Sequence, residues 1–352
     1  MIWNPIEHIQ LRLARRRYMP RTRVVKTGTI AKVSLIALAL IVAISAILEM
    51  RGTRDSTVLS QYLRQQGVAP LELIQRAALR RRLVFIADIP GSIATKQLFA
   101  DAVERIALGS GLDLVGLEVD AAEQRYIDAY LSTPREDVGI LLGRPRAIHE
   151  HEGMANAYLA IYRRIRKLND GLGADRRIGI LALDADGWPP IRALPPNQLA
   201  RAFGARDSIM SLRLQQVLQL NPRTRCLLFV SGLSALRGGN GLVQTGGTRS
   251  ISITWAAARL ASSYPQDVYS VLVDAPVAGP ARVSVARYAG TAAGPPLAEG
   301  YDGPPRAVPV RPPLSLTGHP IRTFTTPGIS FDLTPRTLTL GDIADAYVYL
   351  GQ

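Results

Sequence analysis

The sequence has one cysteine, Cys226, and that scarcity closes several routes at once. No intramolecular disulfide can form, so an exported domain must rely on a large core rather than on crosslinks. Cys226 lies in the apolar run Cys226-Leu-Leu-Phe-Val230, where a lone thiol reads as a small buried hydrophobe rather than a nucleophile. The glycine-rich stretches Gly238-Gly-Asn-Gly241 and Gly246-Gly247 lack a Gly-Lys-Ser/Thr ending. They match neither a phosphate-binding loop nor a dinucleotide fingerprint, and they read as a mobile loop. Ser231 and Ser234 do not form Gly-x-Ser-x-Gly, so a serine-hydrolase elbow is unsupported. No cysteine follows the apolar N-terminal stretch in the manner of a lipoprotein, and no internal repeat is visible.

What the sequence does hold is apolar residues and positive charge. Of 352 residues 47% are hydrophobic, enough for a sizeable core and too many for disorder throughout. The formal charge is +14, unevenly placed. Before Val33 stand eight basic residues (Arg12, Arg15, Arg16, Arg17, Arg21, Arg23, Lys26 and Lys32) against Glu7 alone, a net +7 and half the total. A basic block beside an apolar run indicates anionic lipid and membrane topology, and the clustering argues against nucleic acid as a partner.

Val33–Leu48 contains no charge, and with Ile30 and Ala31 upstream the run is about 19 residues, close to the ~20 that cross a hydrocarbon core. Lys32 stands where its long stem reaches the headgroups. The sequence therefore predicts a basic cytoplasmic tail at 1–29 and a single transmembrane helix at 30–48 in the cytoplasmic (inner) membrane. The rest is expected outside the cytoplasm, periplasmic or extracellular. A signal peptide cleaved near Ala43-Ile44-Ser45 is the rival. A basic region of about 30 residues and an apolar stretch beyond the usual ~7–15 favour an uncleaved anchor.

Residues 49–82 form a helical juncture. Leu59, Tyr62 and Leu63, then Leu71, Ile74, Ala78 and Leu79, recur at helical spacing, with Pro70 suited to a first turn. From Leu83 to Asp274 short aliphatic runs alternate with longer amphipathic ones. Strands are expected at Leu83–Ala87, Leu112–Glu118, Ile178–Leu183, Cys226–Val230 and Tyr269–Val273. Helices are expected at Ile93–Leu108, Ala121–Leu131, Met154–Leu168, Arg206–Leu220 and Ile253–Ser263. Continuous aliphatic strands separated by helices predict an α/β class, with a largely parallel sheet flanked by helices. Residues 275–352, rich in Pro and Gly, read as an extension over the domain that ends in a strand at Ala346–Leu350.

Sites in such sheets lie beyond the carboxyl ends of the strands. Those ends carry Asp88, then Glu118 and Asp120, then Asp184 and Asp186, then Ser231. Each acid alone reads as a helix cap; together they suggest a pocket in which neighbouring carboxylates divide acid from base roles. Asp207 is expected near the positive end of the helix opening at Arg206, with Arg206 free to pair with a rim carboxylate. The catalytic candidates are Asp88, Glu118 and Asp207; the ligand-binding candidates are Asp184, Arg206, Ser231, His149 and His151. In His149-Glu150-His151-Glu152 the two-residue spacing does not put both imidazoles on one helix face, so a metal site is not expected, nor is a resident cofactor.

The order of segments resembles the superfamily that joins erythromycin-esterase-like proteins with ChaN/Tiki-like haem-uptake and protease-like domains. Four stretches over Leu83–Val273 carry it: Leu83-Val-Phe-Ile-Ala-Asp88; Leu114-Val-Gly-Leu-Glu118; Ile161–Asn169 followed by Arg177–Asp184; and Arg206-Asp207-Ser-Ile-Met210 ahead of Leu227-Leu-Phe-Val-Ser-Gly232. The resemblance implies that fold, with Glu118 and the Arg206-Asp207 pair at positions matching the family pattern. Hydrolytic, metal-binding and haem-binding members place a histidine after the first strand and another after the fourth. Here those turns read Ala87-Asp-Ile-Pro-Gly91 and Ser231-Gly-Leu-Ser-Ala235, with none. The expected function is a catalytically degenerate domain that binds a ligand or an envelope protein. A divergent hydrolase using Glu118 and Asp88 as acid and base is the alternative, and a purely structural envelope partner is a third.

Overall fold

The structure, a computed structural model, describes residues 58–149, 153–187, 194–244, 250–275, 298, 301–310, 323–326, 329–335 and 338–351. The expected membrane span at 30–48 lies outside them. No helix among the described residues is long and apolar enough to cross a membrane. The chain divides at Glu49, and Met50–Gln352 is one compact unit.

β1 (Leu83–Asp88) is buried at all six positions because it sits in the middle of a seven-stranded sheet with helices against it. Aliphatic side chains at successive positions suit a strand covered on both faces. The strand order is β3-β2-β4-β1-β7-β11-β8, with β2 Leu114–Asp120, β3 Gly179–Asp184, β4 Cys226–Ser231, β7 Val268–Asp274, β8 Arg306–Pro309 and β11 Ala346–Tyr349. Every neighbouring pair is parallel except β11 and β8. The chain runs outward from β1 to β2 and β3, returns with β4 between β2 and β1, then passes to the far side with β7. Neighbouring strands there send their connections in opposite directions, which opens a crevice at their carboxyl ends.

The helices are α1 (58–66), α2 (Pro70–Arg80), α3 (Ile93–Gly109), α4 (Gln124–Ser132), α5 (Ala155–Asp170), α6 (Pro196–Leu220), α7 (Ala256–Ser263) and α8 (Leu340–Ile343). Pro70 opens α2 at its first turn, where its missing N–H costs nothing. α3 packs on α2 and α5, while α6 packs on β3 and α7. Their buried stripes meet the sheet through Phe99, stacked on Phe229 of β4 at 4.4 Å between ring centroids.

Three expectations need correction. α6 begins at Pro196, ten residues before Arg206, with Pro196 in the first turn. The glycine stretch at 238–241 runs into a strand, β5 (Asn240–Gln244), rather than remaining a loop. The helix expected from Ile253 starts at Ala256 and follows another strand, β6 (Ser250–Thr254). Ser-Ile-Ser-Ile-Thr alternates with period two, a strand signal too short to stand out beside the apolar residues after it. β5 and β6 join β9 (Thr323–Thr326) and β10 (Ile329–Thr334) in an antiparallel sheet of order β6-β5-β10-β9. Gly246-Gly247 lies outside the described residues.

The second sheet is fastened to the body by Trp255, fully buried between β6 and α7. Gly241 lies against its ring: a Cβ there would sit 2.4 Å from Cζ2 and 2.7 Å from Cη2. A buried indole cannot fold away as a leucine methyl can. Gly241→Ala should therefore destabilise by ~1–3 kcal/mol, the usual cost of overpacking. Thermal unfolding would reveal it as a lowered Tm; an unchanged Tm would show that Trp255 is free to shift.

Candidate functional site

The carboxyl ends of β1 and β4 are in register, so Asp88 stands beside Ser231. β2 pairs evenly with β3 up to Leu117, then slips before Asp120. An irregularity of this kind re-aims side chains, and it falls at Glu118 and Val119. Glu118 Oε2 accepts from the Ser231 backbone N–H at 2.5 Å, and Oε1 accepts from Arg206 Nη2. Arg206 Nε donates to Asp184 Oδ1 at 2.7 Å. One guanidinium from α6 thus holds the ends of β2 and β3, and Glu118 carries the tie to β4. Arg206 is 5% exposed, and burial pulls its pKa down to about 10, which leaves it cationic at neutral pH.

Asp88 is held separately. Its Oδ1 accepts from Lys96 Nζ at 2.6 Å and from Thr95 Oγ1 at 2.8 Å, and its Oδ2 accepts from the Tyr158 hydroxyl at 3.1 Å. Lys96 is only 1% exposed and also donates to the Ile89 carbonyl at 3.0 Å. Its ammonium lies 5.8 Å from the Tyr158 ring centroid and 5.9 Å from that of Phe229, where ring faces offset part of its lost hydration. His149 joins the two groups. Its ring stacks on Tyr158 at 4.3 Å, and its Nε2 lies 2.9 Å from the Glu118 carbonyl oxygen. His149 has φ +48°, a left-handed backbone that few side chains adopt without support.

Asp88, Glu118, Asp184 and Ser231 lie together at the strand ends, with Arg206 and His149 against them; His151 lies outside the described residues. Asp207 takes a different place from the one expected. It stands well inside α6, and its Oδ1 accepts from the Ala256 N–H at 2.8 Å. It serves the first turn of α7, not of its own helix. Ser231 Oγ donates to Ser234 Oγ at 3.1 Å, and Ser234 in turn bears on Asp207. Asp120 behaves as a cap, accepting from Ala122 N and Gly187 N at 2.9 Å and pairing with Arg146 at 2.8 Å. Asp186 is exposed.

Sequence reasoning missed Lys96, Thr95 and Tyr158. A signal existed for Lys96: it shares the stripe of Phe99, Ala100 and Val103, all buried, so a lysine there is committed to the interior. Tyr158 likewise leads the buried stripe Tyr158, Ile161, Tyr162 and Ile165 of α5.

Burial dominates the electrostatics. It raises Asp184 to about 8, with Asp207 and Asp120 adding to the rise and the Ala185 amide opposing it. Burial also raises Asp207, against Arg206 and the Ala256 amide. The Cys226 thiol is pushed up to about 12, in keeping with an inert core residue. No group of three or more acidic, histidine or cysteine side chains suited to a metal ion occurs among the described residues. Cavities of about 260 Å³ beside Glu104 and Arg164, and of about 440 Å³ beside Tyr62 and Arg80, lie away from the rim.

No family model and no curated protein matches the sequence. Solved structures do. An erythromycin esterase, EreC, carrying a histidine substitution and in its open conformation, overlays with TM-score 0.50 and 9% identity, over 79% of this chain and 92% of that one. The chain has the erythromycin-esterase-like fold. A Bacillus cereus protein overlays with TM-score 0.51 and 9% identity, covering 84% of this chain and 97% of its own. A succinoglycan biosynthesis protein gives 0.51 and 8%, with the same coverage. Identities this low speak for the fold alone. Within that fold the turns after β1 and β4 are without histidine, and Lys96 and His149 flank the carboxylates instead.

A raised Asp184 has a consequence for stability. The folded state holds the proton more tightly than the unfolded chain, whose Asp titrates near 3.8. Its contribution is fully present below that value and is lost as pH rises toward about 8. Asp184→Asn should flatten this part of the stability–pH curve. Urea unfolding from pH 4 to 9 measures it; an equally steep curve in the variant would place the proton elsewhere.

Proposed function

We propose that the protein is a membrane-anchored, extracytoplasmic domain of erythromycin-esterase-like fold whose rim serves as an internal ion-pair network. In this reading it is a ligand- or partner-binding protein of the envelope rather than an esterase. The observation that carries the proposal is the state of the rim carboxylates. Asp88 is occupied by Lys96, Thr95 and Tyr158, and Glu118 by Arg206 and the Ser231 amide. Asp184 is occupied by Arg206 and the Ala185 amide, and Asp207 by the Ala256 amide. A carboxylate whose oxygens are engaged by buried donors gives up reach, whereas a general base must stand within hydrogen-bond distance of the proton it takes.

A divergent hydrolase is the second reading, and Asp184 favours it. A carboxyl raised to about 8 holds its proton at neutral pH and suits a general acid, with Glu118 on the same guanidinium as the second carboxyl of the pair. Full-length protein assayed with p-nitrophenyl esters and with erythromycin decides between the two. The degenerate reading expects turnover no greater in the wild type than in Glu118→Gln across pH 5–9. Turnover that Glu118→Gln removes would establish the hydrolase.

The anchor rests on the uncharged run at 33–48 behind eight basic residues. Alkaline phosphatase fused after Gln352, which folds only outside the cytoplasm, should be active and membrane-bound in an envelope fraction. An inactive fusion would reverse the topology, and a released one would favour a cleaved signal.

A further inference from the structure

The rim is one end of the sheet. At the other end, where β1 and β7 begin, a cleft of about 440 Å³ opens between α1, α2 and the start of β7. Its floor is apolar: Leu73 and Ala77 are buried, and Val68 packs against the core. The Tyr62 and Tyr269 side chains also line it.

Its wall is cationic. Arg76 and Arg80 stand one turn apart on α2, and Arg81 follows at the end of the helix. No carboxylate lines the cleft among the described residues. Arg76 shares its charge with Glu72 one turn earlier. Among the described residues Arg81 donates to neutral acceptors, the backbone and side-chain oxygens of Gln266, and its charge also acts on Asp267, which Arg82 holds. Arg80 is exposed, and no ion pair is seen for it among the described residues. Arg80 and Arg81 lie close enough to Tyr269 to oppose the rise that burial imposes on its phenol. Asp345, which acts on that phenol in the other sense, is engaged by Arg237.

Three guanidinium groups within two turns repel one another, and Glu72 beside Arg76 and Asp267, already held by Arg82, offset that only in part. Guanidinium forks match the tetrahedral oxygens of phosphate, two N–H groups to two oxygens. An apolar floor with aromatic sides suits an organic body attached to such a head.

We infer that this cleft binds a phosphate ester, with the phosphate on Arg80 and Arg81 and the organic part over Leu73 and Tyr62. A phospholipid headgroup and a soluble phosphorylated compound present the same chemistry. The inference is independent of how the rim is read, because the cleft shares no residue with it.

The test is isothermal titration of full-length protein in a neutral detergent. The probes are inorganic phosphate, glycerol 3-phosphate and dihexanoyl phosphatidylglycerol below its micelle concentration, with dihexanoyl phosphatidylcholine as the zwitterionic control. Binding should weaken by at least about tenfold in Arg80→Glu and in Arg81→Gln, as loss of a charge-assisted pair requires, and should fall with added salt. Arg80 is exposed, so its variant should keep the wild-type melting temperature. Equal affinity for glycerol 3-phosphate and phosphatidylglycerol would identify a soluble ligand. A tenfold or greater preference for phosphatidylglycerol would identify the headgroup. Absence of binding with every probe overturns the inference, as does binding that both variants retain.

Discussion

Arg206 is the constraint around which the rim is arranged. A guanidinium buried to 5% exposure survives only if its donors are filled, because desolvating a cation costs several kcal/mol unless partners replace water. Glu118 and Asp184 are those partners, and they come from different strands. Satisfying the charge therefore requires β2 and β3 to end at the same height and α6 to lie across them. Glu118 extends the requirement to β4 through the Ser231 amide. These atoms fasten three strand ends together.

The Asp88 side follows the same logic with a different cation. Lys96 brings a flexible stem and a compact charge, and it reaches Asp88 from inside the first turn of α3. Thr95 and Tyr158 complete the acceptor, so Asp88 has no oxygen without a donor. His149 then sits between the halves, stacked on Tyr158 and held at the Glu118 backbone, with its left-handed φ maintained by those contacts. A strained histidine beside carboxylates is a feature that functional sites often carry. Here its backbone strain is matched by packing on one side and a hydrogen bond on the other.

The parallel sheet was readable because its strands are uninterrupted aliphatic runs, and burial on both faces demands such runs. The rim acids were readable for a related reason: a charged residue directly after such a strand must lie at the sheet's edge. What escaped were residues whose role depends on distant partners. Asp207 looked like a helix start because the helical pattern before Arg206 is weak, with Gly204 two positions ahead. The decisive mark was Pro196 further upstream, suited to a first turn. The small antiparallel sheet escaped because β5 begins among glycines and β6 has only two apolar positions, while their neighbours β9 and β10 lie some eighty residues on. Pairing over that separation leaves little local trace. Lys96 was visible as a polar residue on an apolar stripe, but its partner Asp88 could be named only once the turn between them was known.

The rim's charge count sets what it can accommodate. Four carboxylates, Asp88, Glu118, Asp184 and Asp207, share two buried cations, Lys96 and Arg206. All four ionised would crowd negative charge into a poorly solvated site, even with Arg213 acting on Asp184 and Arg259 on Asp207, a cost that proteins ordinarily meet by holding protons. Asp184 and Asp207 are the two whose affinity for a proton burial raises. The Asp88–Lys96 and Glu118–Arg206 pairs thus stand beside two carboxyls that burial inclines toward their neutral forms. A rim whose Asp88 and Glu118 oxygens already accept from buried donors offers little to a cation. It would have to break an internal pair to engage an anion. Any ligand that does bind there must therefore compete with Arg206 or Lys96 for the same oxygens, or release a proton as it enters.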